Sequence, residues 1–316
     1  MDLLEEVLRA EGRIRPYIRE TILEYSTYLS QVGGANVHCK LENLQYTGSF
    51  KARGAMNKLL SLNPEELARG VVTASTGNHG LAMARSMREL NASGIVFVTE
   101  NASPSKVQAI ERLGAEVRYY GKDCLETEVY ARRYAAQNHM TYIPPYNDPK
   151  VIGGQGTIGV ELARQLDKID AVFVSLGGAG LISGVATYLK SIHPDVRIIG
   201  CSPENSQVMI QSVKAGRILD LPSLPTLSDG TAGGIEPGSI TFDLCRELVD
   251  EYVTVTEDEI RENLRLFIET HHMLIEGAAA VAVASYLKTR HRFAGSNVVI
   301  VICGANISPE TLKEVL

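Results

Sequence analysis

From about residue 55 onward, short apolar runs alternate with amphipathic stretches. Residues 70–75 (GVVTAS), 94–99 (GIVFVT) and 115–120 (AEVRYY) have the length and β-branched content of strands. Between them, 81–90 and 105–113 repeat apolar positions at helical spacing. A second series follows, with strands at 171–176, 196–201 and 298–303 and helices at 155–165, 181–191, 257–270 and 277–287. Strands alternating with helices predict an α/β fold, with parallel sheets covered on both faces and binding sites at the carboxyl ends of the strands. The stretch 142–149 (YIPPYNDP) separates the two series and is the expected crossover between domains. No internal repeat or low-complexity tract interrupts the pattern.

Composition narrows the function. A chain of 316 residues that is 45% hydrophobic and 22% charged is an ordinary globular composition, long enough for two domains. The net charge of −6, without a basic stripe, argues against nucleic acid or an anionic membrane as partner. Five scattered cysteines include no CxxC pair, which disfavours a disulfide framework or a zinc knuckle. The acidic, amphipathic N-terminus lacks the regions of a signal peptide, and no apolar run reaches the ~20 residues that span a bilayer. A cytoplasmic enzyme or binding protein for a small molecule is the expectation.

Four segments carry candidate chemistry. In Thr47-Gly48-Ser49-Phe50-Lys51-Ala52-Arg53-Gly54, a lysine opens a helix after small residues. The positive dipole end favours an uncharged amine, the form needed for Schiff-base chemistry. Read alone, the octapeptide also fits a surface lysine at a helix start. Ser75-Thr76-Gly77-Asn78-His79-Gly80 turns from a strand into a helix, whose free amides suit a carboxylate. Gly177-Gly178-Ala179-Gly180 does the same and suits a phosphate; its GxGxxxG spacing misses the dinucleotide fingerprint. Cys303-Gly304-Ala305-Asn306 ends an apolar strand on the same edge, where a cysteine is either pocket-lining or simply buried.

Taken in this order, the segments resemble the serine/threonine dehydratase family, the pyridoxal-phosphate enzymes of fold type II. The likeness runs through LSQVGGANVHCKLENLQYTGSFKARGAMNKL, VVTASTGNHGLAMA, IPPYNDPKVIGGQGTIGVEL, SLGGAGLISGV, HHMLIEGAAAVA and VVIVICGANI. It implies two open, twisted, mostly parallel sheets flanked by helices, as in the tryptophan synthase β chain. It also implies a large cofactor-binding domain of residues 1–53 and 147–316, a small substrate-binding domain of 54–146, and a homodimer.

By the same resemblance, Lys51 is the Schiff-base lysine and Phe50 packs against the pyridine ring. Asn78 contacts the ring hydroxyl, and Gly177, Gly178, Ala179 and Gly180 hold the phosphate. Ser75, Thr76, Gly77, Asn78 and His79 receive the substrate carboxylate. Cys303 faces the ring nitrogen, where a neutral thiol disfavours a long-lived carbanion and so favours prompt β-elimination. The implied activity is dehydration and deamination of an L-β-hydroxy amino acid such as threonine or serine, with Lys51 as base.

Three departures shape the expectation. Ala179 replaces a usual glycine, restricting the phosphate loop. Ser202 and Val208 stand where metal-activated relatives carry carboxylates, so no magnesium or calcium site of that kind is expected. Thr76 stands where racemases of the family use serine, which weakens a serine racemase-like alternative. A cysteine synthase-like reading fits neither the lysine motif nor Asn78-His79-Gly80, and a non-catalytic amino-acid-binding module is the alternative of another class. The segment LPTLSDGTAGGIEPGSITFDLCRELVDE resembles catabolic members, and a regulatory domain of the biosynthetic kind is not expected after the last predicted strand.

Overall fold

The computed structural model describes residues 2–316, which fold around two sheets. The larger contains β1 (Leu23–Tyr25), β2 (Asn36–Leu41), β7 (Ala171–Ser175), β8 (Arg197–Pro203), β9 (Glu251–Val255) and β10 (Asn297–Ile302). Its order is β1-β2-β10-β7-β8-β9, parallel throughout except where β1 meets β2. The smaller contains β3 (Val71–Ala74), β4 (Gly94–Val98), β5 (Glu116–Tyr119) and β6 (Thr141–Tyr142), all parallel in the order β5-β4-β3-β6.

The inner strands β7 and β10 are buried along almost their whole length, because helices cover both faces of the large sheet. One cover is the helix Gly277–Thr289, whose alanines and glycine let it lie close to the strands. The small sheet is sandwiched between the helices Asn78–Glu89 and Cys124–Gln137, which bury Ala82 and Met83 on one side and Ala131 and Ala135 on the other.

The strand–helix alternation is as expected, but four strands escaped the pattern, among them the two-residue β6 in the crossover. In β2 (NVHCKL) the fully buried Lys40 hides an interior strand behind a charged residue. Its amine donates to Glu161 Oε2 at 2.6 Å, to Gln165 Oε1 and to the carbonyl of Thr21. β1 is three residues long, and β9 is a half-exposed edge strand. Two helices also start earlier than their apolar periodicity suggests. Gly77 caps the helix Asn78–Glu89, and Asp148 caps Pro149–Gln165 by accepting from the amides of Lys150 and Val151.

The helix Lys51–Leu60 is anchored by a buried ionic cluster two residues beyond Lys51. Arg53 reaches Glu42 at 2.7 Å and Glu161 at 2.6 Å, and Glu161 also takes Lys40 and Arg15. The side chains of Arg53, Glu42, Glu161 and Lys40 are wholly buried. Burial raises the cost of every charge, and only mutual pairing offsets it. The cluster therefore fixes the helix that presents Lys51. At Gly154 a Cβ would lie 2.7 Å from the Arg53 carbonyl, so glycine there lets the two helices approach.

Candidate active site

The loops after β3, β7 and β10 all leave carboxyl ends of parallel strands, and the lysine loop is laid against the last of them. The Phe50 amide donates to the Cys303 carbonyl at 3.1 Å, and Ser49 bridges to Gly304. Asn306 donates from Nδ2 to the Thr47 carbonyl at 2.9 Å and to Asn78 Oδ1 at 2.5 Å. Asn78 in turn donates to both oxygens of Glu276 at 3.0 Å, and Glu276 accepts from the Asn306 amide at 3.2 Å. The Cys303 thiol faces Glu276 Oε1 at 3.7 Å and Ser175 Oγ at 4.0 Å. Lys51, Asn78 and Cys303 thus come together through Asn306, the last residue of the Cys303–Asn306 segment, and through Glu276, which no motif had singled out.

Lys51 Nζ donates to the Pro145 carbonyl at 2.7 Å and lies 5.2 Å from the centre of the Phe50 ring. Burial pulls the amine down to about 8, against the opposing pull of Glu128, Cys303 and Glu276. The neutral fraction at pH 7 rises from roughly 1 in 3,000 for an ordinary lysine to roughly 1 in 10. The expected cause was the helix dipole; desolvation is the larger one. Burial, together with the field of Glu276, also pushes the Cys303 thiol well up, so it stays neutral. Glu276 itself is pushed up by burial.

The 177–180 loop leads from β7 into the helix Gly180–Ile192, whose first-turn amides have no intrahelical carbonyl to meet. Ala179 holds the left-handed conformation, φ +67° and ψ 7°. Alanine is therefore accommodated in a shape natural to glycine, at a strain of roughly 1–2 kcal/mol. A Cβ on Gly178 would meet the Tyr146 ring at 2.4 Å, so that ring and the loop are in closest approach. Tyr146 Oη accepts from the Glu236 amide at 2.9 Å.

His79 does not stand free in its loop. It is 2% exposed, and its Nε2 donates to the Ile143 carbonyl at 3.2 Å. Burial and Lys51 hold the ring down to about 3, so it is neutral and unsuited to donating a second proton. The helix begins at Asn78, so the amides of Asn78, His79 and Gly80 lie in its first turn and remain open to an anion.

Contacts from the small-sheet side close the cleft. Lys106 pairs with Asp229 at 2.9 Å, and Arg132 pairs with Glu236 at 2.8 Å. Asn147 Nδ2 adds a hydrogen bond to Glu236 at 2.9 Å. A cavity of about 860 Å³ opens here, lined by Lys106, Asp229, Glu276, Asn306 and Ser308, within the range of small-molecule sites. Ser49 Oγ, Thr47 Oγ1 and His79 Nδ1 are buried without a hydrogen-bond partner. A buried lysine, amides converging at a helix start, orphaned polar atoms and a neutral thiol form a donor set that fits pyridoxal phosphate.

The model of the pyridoxal-phosphate-dependent enzymes matches residues 14–304, and the chain belongs to that family, with pyridoxal phosphate as its cofactor. Within it, the chain is 39% identical to the L-threonine ammonia-lyase of Thermotoga maritima over 316 residues, all of this chain and 78% of that protein. The processed threonine deaminase isoform 2 of Solanum lycopersicum superposes with a TM-score of 0.94 at 35% identity, covering 99% of this chain and 92% of that one. The serine racemase of Dictyostelium discoideum gives 0.90 at 33% identity, over 96% of this chain and 98% of that one. The fold is that of the fold type II enzymes.

Proposed function

We propose that the protein is an L-β-hydroxy amino acid ammonia-lyase that removes water and ammonia from a substrate such as threonine or serine, leaving a 2-oxo acid. The observation that carries the reading is Lys51: a buried amine, largely desolvated, at the junction of three strand-end loops. When bound, pyridoxal phosphate withdraws electrons from Cα and so acidifies its proton. Lys51 ties the cofactor and then, as a free amine, takes that proton. Phe50 would lie against the ring, Asn78 would meet its hydroxyl, the 177–180 amides would hold the phosphate, and the neutral Cys303 thiol would stand beside the ring nitrogen.

The amides from Ser75 to His79 receive the substrate carboxylate and set the Cα–H bond toward Lys51. The relatives named as threonine ammonia-lyase and threonine deaminase support elimination. Assay of purified holoenzyme with L-threonine and L-serine tests it, following ammonia, 2-oxo acid and D-amino acid together. Equal yields of ammonia and oxo acid are expected. D-amino acid without oxo acid would make the chain a racemase.

The phosphate-loop assignment predicts that Gly178→Ala weakens cofactor binding. The added methyl collides with Tyr146, and overpacking of this kind costs ~1–3 kcal/mol, or about tenfold or more in affinity. Fluorescence titration of the cofactor into apoenzyme measures it; unchanged affinity would move the phosphate elsewhere.

The division into residues 1–53 with 147–316 and 54–146 is supported by separate hydrophobic cores around the two sheets. Ile22, Tyr25, Tyr28 and Val32 expose large apolar surfaces beside the edge strand β1, which supports a homodimer through that edge. All five cysteines are unpaired, in keeping with a cytoplasmic enzyme. No helix among the described residues is long and apolar enough to cross a membrane.

A further inference from the structure

One buried acid at the junction of the site loops has no part in the chemistry above. Glu276 is 3% exposed. It stands directly before the helix Gly277–Thr289, yet its side chain makes no cap hydrogen bond to that helix. The carboxylate turns instead toward Asn78, through space left open because residue 304 is glycine: a Cβ there would lie 2.6 Å from Oε1. Every hydrogen bond of the side chain is an accepted one. The donors are Asn78 Nδ2, 3.0 Å from both oxygens, the Asn306 amide at 3.2 Å and the Cys303 thiol at 3.7 Å. Burial, and then Asp229, push the carboxyl up, while these donors pull it back down.

A side-chain amide has two ends of opposite polarity, and its neighbours decide which way it faces. The Thr47 carbonyl can only accept, so it fixes Asn306 with Nδ2 toward it, and the same nitrogen donates to Asn78 Oδ1 at 2.5 Å. A carboxylate can only accept too, so Glu276 fixes Nδ2 as the Asn78 atom beside it. The two constraints agree. The oxygens of one carboxylate subtend too small an angle at Nδ2 to take both its hydrogens, so one N–H serves both oxygens and the other stays free.

We infer that Glu276 is a positioning residue, which orients the Asn78 amide so that its free N–H, and never its carbonyl, meets the ring hydroxyl of the cofactor. The inference rests on the readings of Lys51 and Asn78 above and extends them to the residue behind Asn78. A donated N–H favours the anionic form of the ring oxygen, whereas the carbonyl of a flipped amide favours the protonated form. In Glu276→Gln the new amide oxygen serves either Asn78 or the Asn306 amide, and the new nitrogen confronts the other donor. Turning over the Asn78 amide relieves that conflict. A hydrogen bond to a charged group is worth about tenfold to a hundredfold in an equilibrium.

The test reads the cofactor absorbance of holoenzyme, in which the balance of long- and short-wavelength bands reports whether the ring oxygen is anionic or protonated. Glu276→Gln is expected to move that balance toward the short-wavelength band by about tenfold or more. Asn78→Ala is expected to move it the same way. Adding Glu276→Gln to Asn78→Ala is expected to move it no further, because Glu276 acts only through Asn78. Asn306→Ala, which removes the donor at the other end of the amide, is expected to give a smaller shift in the same direction, and it carries the test if Glu276→Gln does not fold. A wild-type balance in Glu276→Gln (or, in its place, in Asn306→Ala), or shifts that add in the double variant, would overturn the inference alone. If wild type forms no cofactor band, the Lys51 reading falls together with it.

Discussion

Lys51→Ala is expected to abolish turnover of every L-β-hydroxy amino acid, by at least ~10⁴-fold, while leaving the fold intact. One substitution removes both the cofactor tether and the base, and a positioned general base alone contributes ~10²–10⁴-fold. The lysine is poised for the second task by burial, which brings its amine to about 8. Lys51→Arg is expected to fail equally, because a guanidinium neither condenses with a carbonyl nor deprotonates at working pH. Ammonia release and the cofactor absorbance band, measured side by side, check both variants. Activity retained within tenfold in Lys51→Ala would remove the lysine from the mechanism.

The largest effect on stability is expected from Glu161→Ala. Glu161 is the shared anion for Arg53, Lys40 and Arg15, and its removal leaves the wholly buried Lys40 without an anionic partner and Arg53 with Glu42 alone. Breaking a buried pair on one side costs ~3–5 kcal/mol. Urea unfolding should show a lower midpoint with little change in slope, and a loss under ~1 kcal/mol would contradict the account.

The sign of the pH dependence follows from the direction of the Glu161 shift. Burial works against its ionisation, but Arg53 and Lys40 prevail and hold its carboxyl well below the ordinary 4.5. Its stabilisation is complete above that ordinary value and disappears as pH falls through the lower, folded-state value. The stability gap between wild type and Glu161→Ala should therefore narrow on acidification below pH 4.5. Because Arg53 lies two residues beyond Lys51, the same variant is expected to loosen the cofactor as well.

The strand-to-helix turns at Ser75–Gly80 and Gly177–Gly180 were legible because local chemistry encodes them: apolar strand, small residues, amphipathic helix. Lys51 stood out by its place at a helix start after small residues, and its role came from the resemblance. Glu276 was not, since it meets Asn78 and Cys303 only through folding, from a position far away in the chain. Glu276 did leave one trace, an acid at the start of the apolar run GAAAVAVA, where a charge has no solvent to face.

His79 sits in a binding turn, yet its ring bonds to the Ile143 carbonyl and stays neutral, so it is the amides of the turn that are open to an anion. In β2, the buried Lys40 disguised a strand that only its pairing with Glu161 makes possible. Local pattern reports backbone geometry well. It says little about which distant charge a side chain will find.

The most direct test of the account is to reduce the holoenzyme with borohydride, digest it, and locate the pyridoxyl group by mass spectrometry. The account predicts modification at Lys51, within the segment Gly48-Ser49-Phe50-Lys51-Ala52, and at no other lysine in comparable yield. Label on a different lysine, or a cofactor band with no lysine labelled, would contradict it.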